Sequence, residues 1–138
     1  FEDGIGMMRA FIDEWQADVR VRSRVPAAKA QKHREIWCVF QPHTYTRTKA
    51  LLNEFAQTLS LADHVVLADI YAARETNVSG ISSTDLQAKI LEFGVDCSYF
   101  STFDEIEIFL LGKCTKGDLL ITMGAGDIYK VGDHLLGL

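Results

Sequence analysis

The sequence lacks the surplus of lysine and arginine that a general nucleic-acid-binding protein needs. Its 14 basic residues are outnumbered by 19 acidic ones, for a net charge of −5, so no excess positive charge is available to neutralise phosphates. No apolar run approaches the length of about 18 residues that a transmembrane helix requires. No secretory signal pattern stands at the beginning of the sequence either. Neither nucleic acid nor a membrane is therefore an expected partner.

Metal-binding spacings are also missing. The four histidines are scattered, and the three cysteines form no CxxC pair, so nothing indicates a zinc site and no metal ligand is predicted. Cys38 and Cys97 lie within apolar runs, which predicts buried free thiols. Free thiols suit a reducing compartment, and we expect a cytoplasmic protein.

The length and composition of the chain are those of an ordinary globular protein. The chain has 138 residues, of which 48% are hydrophobic and 24% charged, values typical of a single domain with a real core. We therefore expect one domain over residues 1–138. Because the first residue is Phe1 and not methionine, we expect that domain to be a fragment of a longer protein.

From residue 35 onward, short apolar runs alternate with amphipathic segments. Strands are predicted at residues 36–40, 64–68, 97–100 and 119–122, each followed by a helix. Repeated strand–helix units indicate an α/β fold with a Rossmann-like, mainly parallel sheet flanked by helices. Right-handed crossovers place the carboxyl ends of all strands at one edge. That edge should collect residues 43–47, 69–75 and 124–127, and a ligand site is expected there.

The helices have predictable faces and caps. A helix over residues 46–59 places Leu51, Leu52, Phe55 and Leu59 on one side. The next is capped by Ser82 or Ser83 and packs through Leu86, Ile90 and Leu91. The third begins at Ser101 or Thr102, packs through Phe103, Ile106, Phe109 and Leu110, and closes at Gly112. The last packs through Ile128, Val131 and Leu135.

Residues 40–48 are the most informative segment, with the sequence Phe-Gln-Pro-His-Thr-Tyr-Thr-Arg-Thr. They join the first predicted strand to the first predicted helix. Arg47 would lie in the first turn of that helix, where the helix dipole disfavours a cation. An incoming phosphate or carboxylate would explain the arginine. The alternative is that Arg47 is a solvated surface charge and His43 a turn residue.

This segment resembles the C-terminal domain of the Mur ligases. These ATP-dependent amino-acid ligases build the peptide stem of bacterial peptidoglycan. Two further strings are similar to the family: Asp-Ile-Tyr-Ala-Ala-Arg-Glu at residues 69–75, and Gly-Ala-Gly-Asp at residues 124–127. The resemblance covers residues 35–138, whereas residues 1–34 diverge from the family.

The resemblance implies substrate-binding roles but no catalytic residue on this fragment alone. The expected substrate-binding residues are His43, Tyr45, Arg47, Tyr71 and Arg74, with Gly124 and Gly126 forming a backbone turn near the ligand. Other interpretations stay open for residues 69–75. Asp69 can be a turn residue at a strand end, and Arg74 with Glu75 can form an exposed ion pair of small energy.

The resemblance also implies a reaction and its partners. The branch of the family that these strings resemble joins L-alanine to UDP-N-acetylmuramate, with ATP and Mg²⁺ as cofactors. No GxxxxGK[ST] loop is present, although ATP-driven ligation needs a loop that binds the phosphates. In the Mur ligases that loop belongs to the central domain and the N-terminal domain holds the nucleotide-sugar, so the resemblance implies that both ligands bind outside this chain. The isolated fragment should be inactive. Alternatives are a sibling ligase for another amino acid or a recycled peptide, and a non-catalytic remnant or binding module.

The first 34 residues depart from the family pattern. Where the family has an Asp-Asp-Tyr-x-His-His-Pro string, residues 12–15 approximate only its beginning. One hypothesis is a reading-frame slip across residues 13–26. Otherwise the alternation at residues 19–22 predicts an edge strand. The arginines and lysines between residues 20 and 34 then indicate a solvated or disordered stretch and not a binding patch.

Overall fold

The computed structural model describes residues 34–115, 117–124, 126–135 and 137. The strands in these ranges are β1 (Ile36–Gln41), β2 (His64–Leu67), β3 (Asp96–Tyr99) and β4 (Leu119–Gly124). The helices are α1 (Tyr45–Ala50), α2 (Leu52–Leu59), α3 (Ser83–Glu92), α4 (Phe103–Lys113) and α5 (Tyr129–Leu135). The predicted edge strand at residues 19–22 and the frame slip at 13–26 lie outside the described residues.

The four strands form one parallel sheet in the order β3-β2-β1-β4. In the centre, Cys38 lies beside Val65 on one side and Ile121 on the other. Every residue of β1 and β4 is buried, as expected for parallel strands covered on both faces. The prediction of a Rossmann-like parallel sheet flanked by helices is confirmed.

The strand order creates a switch point beside β1. The chain moves from β1 through β2 to β3 in one direction, then returns to the opposite side of β1 for β4. In open α/β sheets, ligand crevices form where the strand order reverses, outside the carboxyl ends of the strands. Residues 42–45 after β1 and 126–128 after β4 flank this point.

The first helical region is interrupted, whereas one helix was predicted over residues 46–59. Leu51 has φ −114° and ψ 22°, outside the helical range, so α1 ends before it and α2 begins after it. Backbone hydrogen bonds continue on both sides, from Leu51 N to Arg47 O and from Phe55 N to Leu51 O. The apolar face therefore stays in contact with the core, with Phe55 buried and Leu51 and Leu52 partly buried.

Helix α3 begins with a capping box at Ser82. Its hydroxyl accepts a hydrogen bond from the N–H of Thr84, and the Asp85 carboxylate accepts one from the N–H of Ser82. Ile90 is buried as predicted, but Leu91 is 51% exposed. The error has a simple geometric cause, because each helical residue rotates the side-chain direction by about 100°.

Helix α4 begins after Thr102, whose hydroxyl accepts a hydrogen bond from the N–H of Glu105. Ile106 and Leu110 are buried, as predicted. The helix does not close at Gly112 but continues to Lys113. It ends because Cys114 takes an extended conformation, with φ −73° and ψ 142°.

The cysteines are free thiols. Cys38 in β1 and Cys97 in β3 are buried, as predicted. Burial raises the pKa of Cys97 to about 12, so this thiol stays protonated at neutral pH.

Asp118 ties the beginnings of β4 and β1 together at the amino-terminal edge of the sheet. Its buried carboxylate accepts hydrogen bonds from Arg34 Nε at 2.7 Å, Trp37 Nε1 at 3.2 Å and the N–H of Thr115 at 2.9 Å. Burial opposes ionisation of Asp118. The hydrogen bonds from Thr115 and Arg34 more than offset that effect and lower its pKa.

His64, at the beginning of β2, links three strands at the same edge. Its ring stacks on Trp37, with centroids 3.9 Å apart and an interplanar angle of 20°. Nε2 lies 2.8 Å from Glu35 Oε2, and Nδ1 lies 2.9 Å from Asp96 Oδ2. Partial burial lowers the pKa of His64, but the hydrogen bonds to Asp96 and Glu35 outweigh it and raise the pKa overall.

Candidate functional site

The loops after β1 and β2 are joined at the carboxyl edge of the sheet by backbone hydrogen bonds. The N–H of Thr44 donates to Tyr71 O at 2.8 Å, and the N–H of Tyr71 donates to Pro42 O at 2.8 Å. The result is an isolated parallel bridge between His43 and Tyr71. Two residues that the sequence placed in separate loops thus lie side by side.

The side chains of His43 and Tyr71 also pair. Their rings are stacked, with centroids 5.9 Å apart and an interplanar angle of 18°. His43 is partly buried, and Tyr71 is 44% exposed. An imidazole and a phenol can both form hydrogen bonds with a ligand, and this pair presents both groups at the carboxyl edge of the sheet.

Thr44 has an unusual backbone conformation between His43 and α1. Its φ of 63° and ψ of 149° fall in a region of backbone conformation that residues other than glycine rarely adopt. The Thr44 hydroxyl accepts a hydrogen bond from the N–H of Arg47 at 3.3 Å, and its carbonyl accepts one from Thr48 Oγ1 at 2.7 Å. Strained conformations of this kind concentrate at functional sites.

The beginning of α1 is occupied by a carboxylate of the chain itself. Glu75 Oε1 accepts hydrogen bonds from the N–H of Tyr45 at 2.8 Å and the N–H of Thr46 at 3.0 Å. The bond from Thr46 makes the largest contribution to lowering the pKa of Glu75. The carboxylate therefore contacts α1, and among the described residues no ion pair joins it to Arg74.

The short length of α1 weakens the dipole argument for Arg47. We expected a helix running to residue 59, but α1 has only 6 residues, and Arg47 lies in its last turn as well as its first. A cation is favourable near a helix C-terminus, so an external anion is not needed to explain it. Arg47 is exposed and lies four residues after His43 at the same edge.

Neither Tyr45 nor Arg74 takes part in the stack of His43 and Tyr71. Tyr45 borders an open groove of about 490 Å³ together with Lys49 and Val78, and neither His43 nor Tyr71 lines that groove. Arg74 is exposed, with a φ of 78°, on the loop that carries Tyr71. Substrate contacts by these two residues stay predictions.

The backbone at Gly124 and Gly126 passes so close to Gln41 that neither position has room for a side chain. A Cβ at Gly124 would lie 2.9 Å from Gln41 O, and a Cβ at Gly126 would lie 2.7 Å from Gln41 Oε1 and 3.1 Å from Tyr71 Cδ2. Gln41 is buried, and its Oε1 has no hydrogen-bond partner among the described residues. Its Nε2 donates to Asp69 O at 3.2 Å. Any side chain at these glycines would displace the groups at the switch point.

One polar pair at this edge was not predicted. The hydroxyl of Tyr99, the last residue of β3, donates a hydrogen bond to Asp69 Oδ1. This hydrogen bond raises the pKa of Tyr99 to about 12. Parallel pairing of Leu67 with Tyr99 brings the two together. The only signal in the sequence was the position of each residue at the end of a predicted strand.

The described residues contain neither a cluster of metal ligands nor a membrane-spanning helix. In residues 34–115, 117–124, 126–135 and 137, no group of three or more histidine, cysteine, aspartate or glutamate side chains is arranged to hold a metal ion. No helix in that part of the chain has the length and apolarity of a membrane span.

A family model described as "Mur ligase, glutamate ligase domain" matches residues 20–126, most of the chain. The chain belongs to the Mur ligase family. Curated relatives from Lachnospira eligens and Lachnoclostridium phytofermentans, both named UDP-N-acetylmuramate–L-alanine ligase, are 60% and 56% identical to it over 116 residues. Each match covers 84% of this chain and 25% of the relative. The chain thus spans about a quarter of the length of these relatives.

Two solved structures share the fold. The UDP-N-acetylmuramate-alanine ligase from Thermotoga maritima superposes with a TM-score of 0.66 at 21% identity, covering 89% of this chain and 24% of that one. A murein peptide ligase from Psychrobacter arcticus superposes with a TM-score of 0.69 at 17% identity, covering 89% and 25%. The α/β domain described above is therefore a fold found in Mur ligases.

Proposed function

We propose that this chain is the C-terminal, amino-acid-binding domain of a longer ATP-dependent ligase that joins L-alanine to UDP-N-acetylmuramate in peptidoglycan biosynthesis. The observation that carries the proposal is the 60% identity, over 84% of the chain, to a relative of that name. The activity belongs to the longer protein, because the chain corresponds to about a quarter of the relative.

In the proposed reaction, the muramoyl carboxylate attacks the γ-phosphoryl group of ATP, giving an acyl phosphate and ADP. The alanine amine then attacks the carbonyl carbon, phosphate leaves, and the amine loses a proton. Carboxylate and phosphoryl oxygens of the reactants need hydrogen-bond donors and positive charge. We assign this role to His43 and Arg47 at the switch point, with Tyr71 as their neighbour. Closure of this domain over the rest of the ligase would exclude water and orient the amine.

ATP and Mg²⁺ are assigned to the other domains of the longer protein. The chain has no GxxxxGK[ST] loop, and its described residues offer no cluster of metal ligands. We assign Mg²⁺ to the domain that holds ATP, because this metal is bound mainly by substrate phosphates together with one or two carboxylates. The partners are thus UDP-N-acetylmuramate, L-alanine, ATP and the N-terminal and central domains. We place the enzyme in the bacterial cytoplasm, where the free thiols stay reduced.

The test is ADP formation by the full-length protein that contains this chain. UDP-N-acetylmuramate and ATP are supplied with L-alanine, with each of a panel of other amino acids, or with a tripeptide. The proposal expects ADP formation that depends on L-alanine and on the nucleotide-sugar. A preference for another amino acid or for the tripeptide would replace it by a sibling ligase. Absence of turnover with every substrate would indicate a non-catalytic module.

A further inference from the structure

Glu75 connects the two loops that carry the candidate site. It lies four residues after Tyr71, and its Oε1 reaches across to the first two N–H groups of α1, at Tyr45 and Thr46. The donors and the acceptor are separated by about thirty residues in sequence, so the contact is tertiary. Helix N-terminal N–H groups favour a negatively charged acceptor.

No N–H group at the beginning of α1 is left for a ligand. Those of Tyr45 and Thr46 donate to Glu75, that of Arg47 donates to the Thr44 hydroxyl, and that of Thr48 donates to Thr44 O. The beginning of α1 therefore offers a negatively charged reactant no free N–H group, and the side chains of His43, Arg47 and Tyr71 are the donors this loop pair can present. The orientation of those side chains depends on what fixes the loop.

We infer that Glu75 is a positioning residue, which clamps the loop of Tyr71 to the beginning of α1 and thereby holds the stacked His43 and Tyr71 at the ligand edge. The inference rests on the proposed function only where it concerns substrate kinetics. Its structural basis is the contact geometry of this chain.

The strained conformation of Thr44 explains why the clamp is needed. A non-glycine residue at φ 63° persists only when surrounding bonds over-determine it. On its amino side, the bridge of His43 with Tyr71 holds the chain. On its carboxyl side, Glu75 holds the N–H groups of Tyr45 and Thr46. Without the Glu75 carboxylate, Thr44 can relax toward an ordinary φ, which would rotate His43 away from Tyr71.

The kinetic test uses the full-length ligase with Glu75→Ala and Glu75→Gln. Glu75→Ala removes the acceptor and should lower kcat/KM for L-alanine or UDP-N-acetylmuramate by about ten- to a hundredfold, the range for a displaced site. The KM for ATP should not change. Glu75→Gln keeps an oxygen acceptor of the same reach and should recover most of the loss. Thr102→Ala is the matched control. It also removes a side-chain oxygen that accepts a hydrogen bond at a helix N-terminus, here from the N–H of Glu105 in α4, and it should leave all these constants unchanged.

A second measurement uses the 138-residue chain itself. Nuclear Overhauser contacts between the His43 and Tyr71 rings should be present in the parent, Glu75→Gln and Thr102→Ala, and lost in Glu75→Ala. If Glu75→Ala does not fold, Glu75→Asp, which keeps the charge but cannot reach both N–H groups, should weaken the same contacts.

The outcomes separate the two proposals. A parent enzyme without alanine-dependent ADP formation refutes the proposed function, and the ring contacts then decide the role of Glu75. Unchanged ring contacts in Glu75→Ala, or unchanged kinetics of that variant in an active ligase, overturn the inference. An equal loss of ring contacts or of kcat/KM in Thr102→Ala also overturns the inference, because the loss of any helix cap would then produce the effect assigned to Glu75.

Discussion

The imidazole of His43 lies nearly parallel to the phenol ring of Tyr71, with ring centroids 5.9 Å apart. The two residues come from loops after different strands, and backbone hydrogen bonds on either side hold them in register. They lie beside the point where the strand order reverses between β1 and β4, where open α/β sheets bind ligands.

Tyr71→Ala should weaken substrate binding with little effect on folding. Tyr71 is 44% exposed, so its removal leaves no core cavity, but His43 loses its stacking partner. In the full-length ligase we expect kcat/KM for L-alanine or UDP-N-acetylmuramate to fall about two- to tenfold, matching the energy of an aromatic pair. Phe93→Ala is the control, because Phe93 is a 56% exposed aromatic residue at the opposite edge of the sheet. Equal effects of both variants would contradict a role for the stack.

Gly126→Ala should destabilise the chain and disturb the switch point. Its Cβ would lie 2.7 Å from Gln41 Oε1 and 3.1 Å from the Tyr71 ring. The Gln41 side chain is buried and its Nε2 donates to Asp69 O, so it cannot move aside freely. We expect a cost of about 1–3 kcal/mol, the range for an added methyl group that displaces its neighbours, measurable by urea unfolding.

Gly112→Ala provides the matched comparison. Gly112 lies in α4, where a Cβ would meet nothing within 4 Å. Gly112 lies in the last turn and has no left-handed φ, so alanine there should raise the free energy of unfolding by about 0.4–1 kcal/mol by restricting the unfolded chain. A lower free energy of unfolding in Gly112→Ala, or an unchanged one in Gly126→Ala, would contradict the contacts described for these two glycines.

His64 should make the free energy of unfolding depend on pH. Burial against Trp37 lowers its pKa, but hydrogen bonds to Asp96 and Glu35 outweigh this and raise it above the ordinary 6.5. The protonated form is thus favoured in the folded state. The resulting stabilisation is fully present below pH 6.5 and is lost as the pH rises through the folded-state pKa.

Urea unfolding of the parent chain across this pH window should show the decrease, and His64→Gln should abolish it. His134→Gln, which removes an exposed histidine next to Glu107, should retain the decrease. A parent whose stability rises with pH between 6.5 and 8 would contradict the proposed link among β1, β2 and β3.

The fold was predictable because parallel strands buried on both faces produce continuous apolar runs. Residues 36–40 and 119–122 are such runs, and both are fully buried strands in the structure. Helix caps were predictable from local chemistry, as Ser82 and Thr102 show. The break at Leu51 was not, because the residues next to it, Lys49, Ala50 and Leu52, all favour a helix.

The contacts of the candidate site were not predictable from the sequence. Glu75 meets Tyr45, and Asp69 meets Tyr99, at separations of about thirty residues. Such pairs depend on the strand order and on the path of each loop, which no local pattern encodes. The same limit applies to the helix dipole at Arg47, whose effect depends on where α1 ends.

The kinetics of Arg47→Ala in the full-length protein test most directly whether side chains after β1 bind a negatively charged reactant. Loss of a charged hydrogen-bond donor of about 1.5–3 kcal/mol should raise the KM for L-alanine or UDP-N-acetylmuramate about ten- to a hundredfold, while the KM for ATP stays constant. Lys113→Ala, which removes an exposed cation from the end of α4, should leave every constant unchanged. An Arg47→Ala enzyme with parental KM for both L-alanine and the nucleotide-sugar would contradict the assignment of this edge as the substrate site.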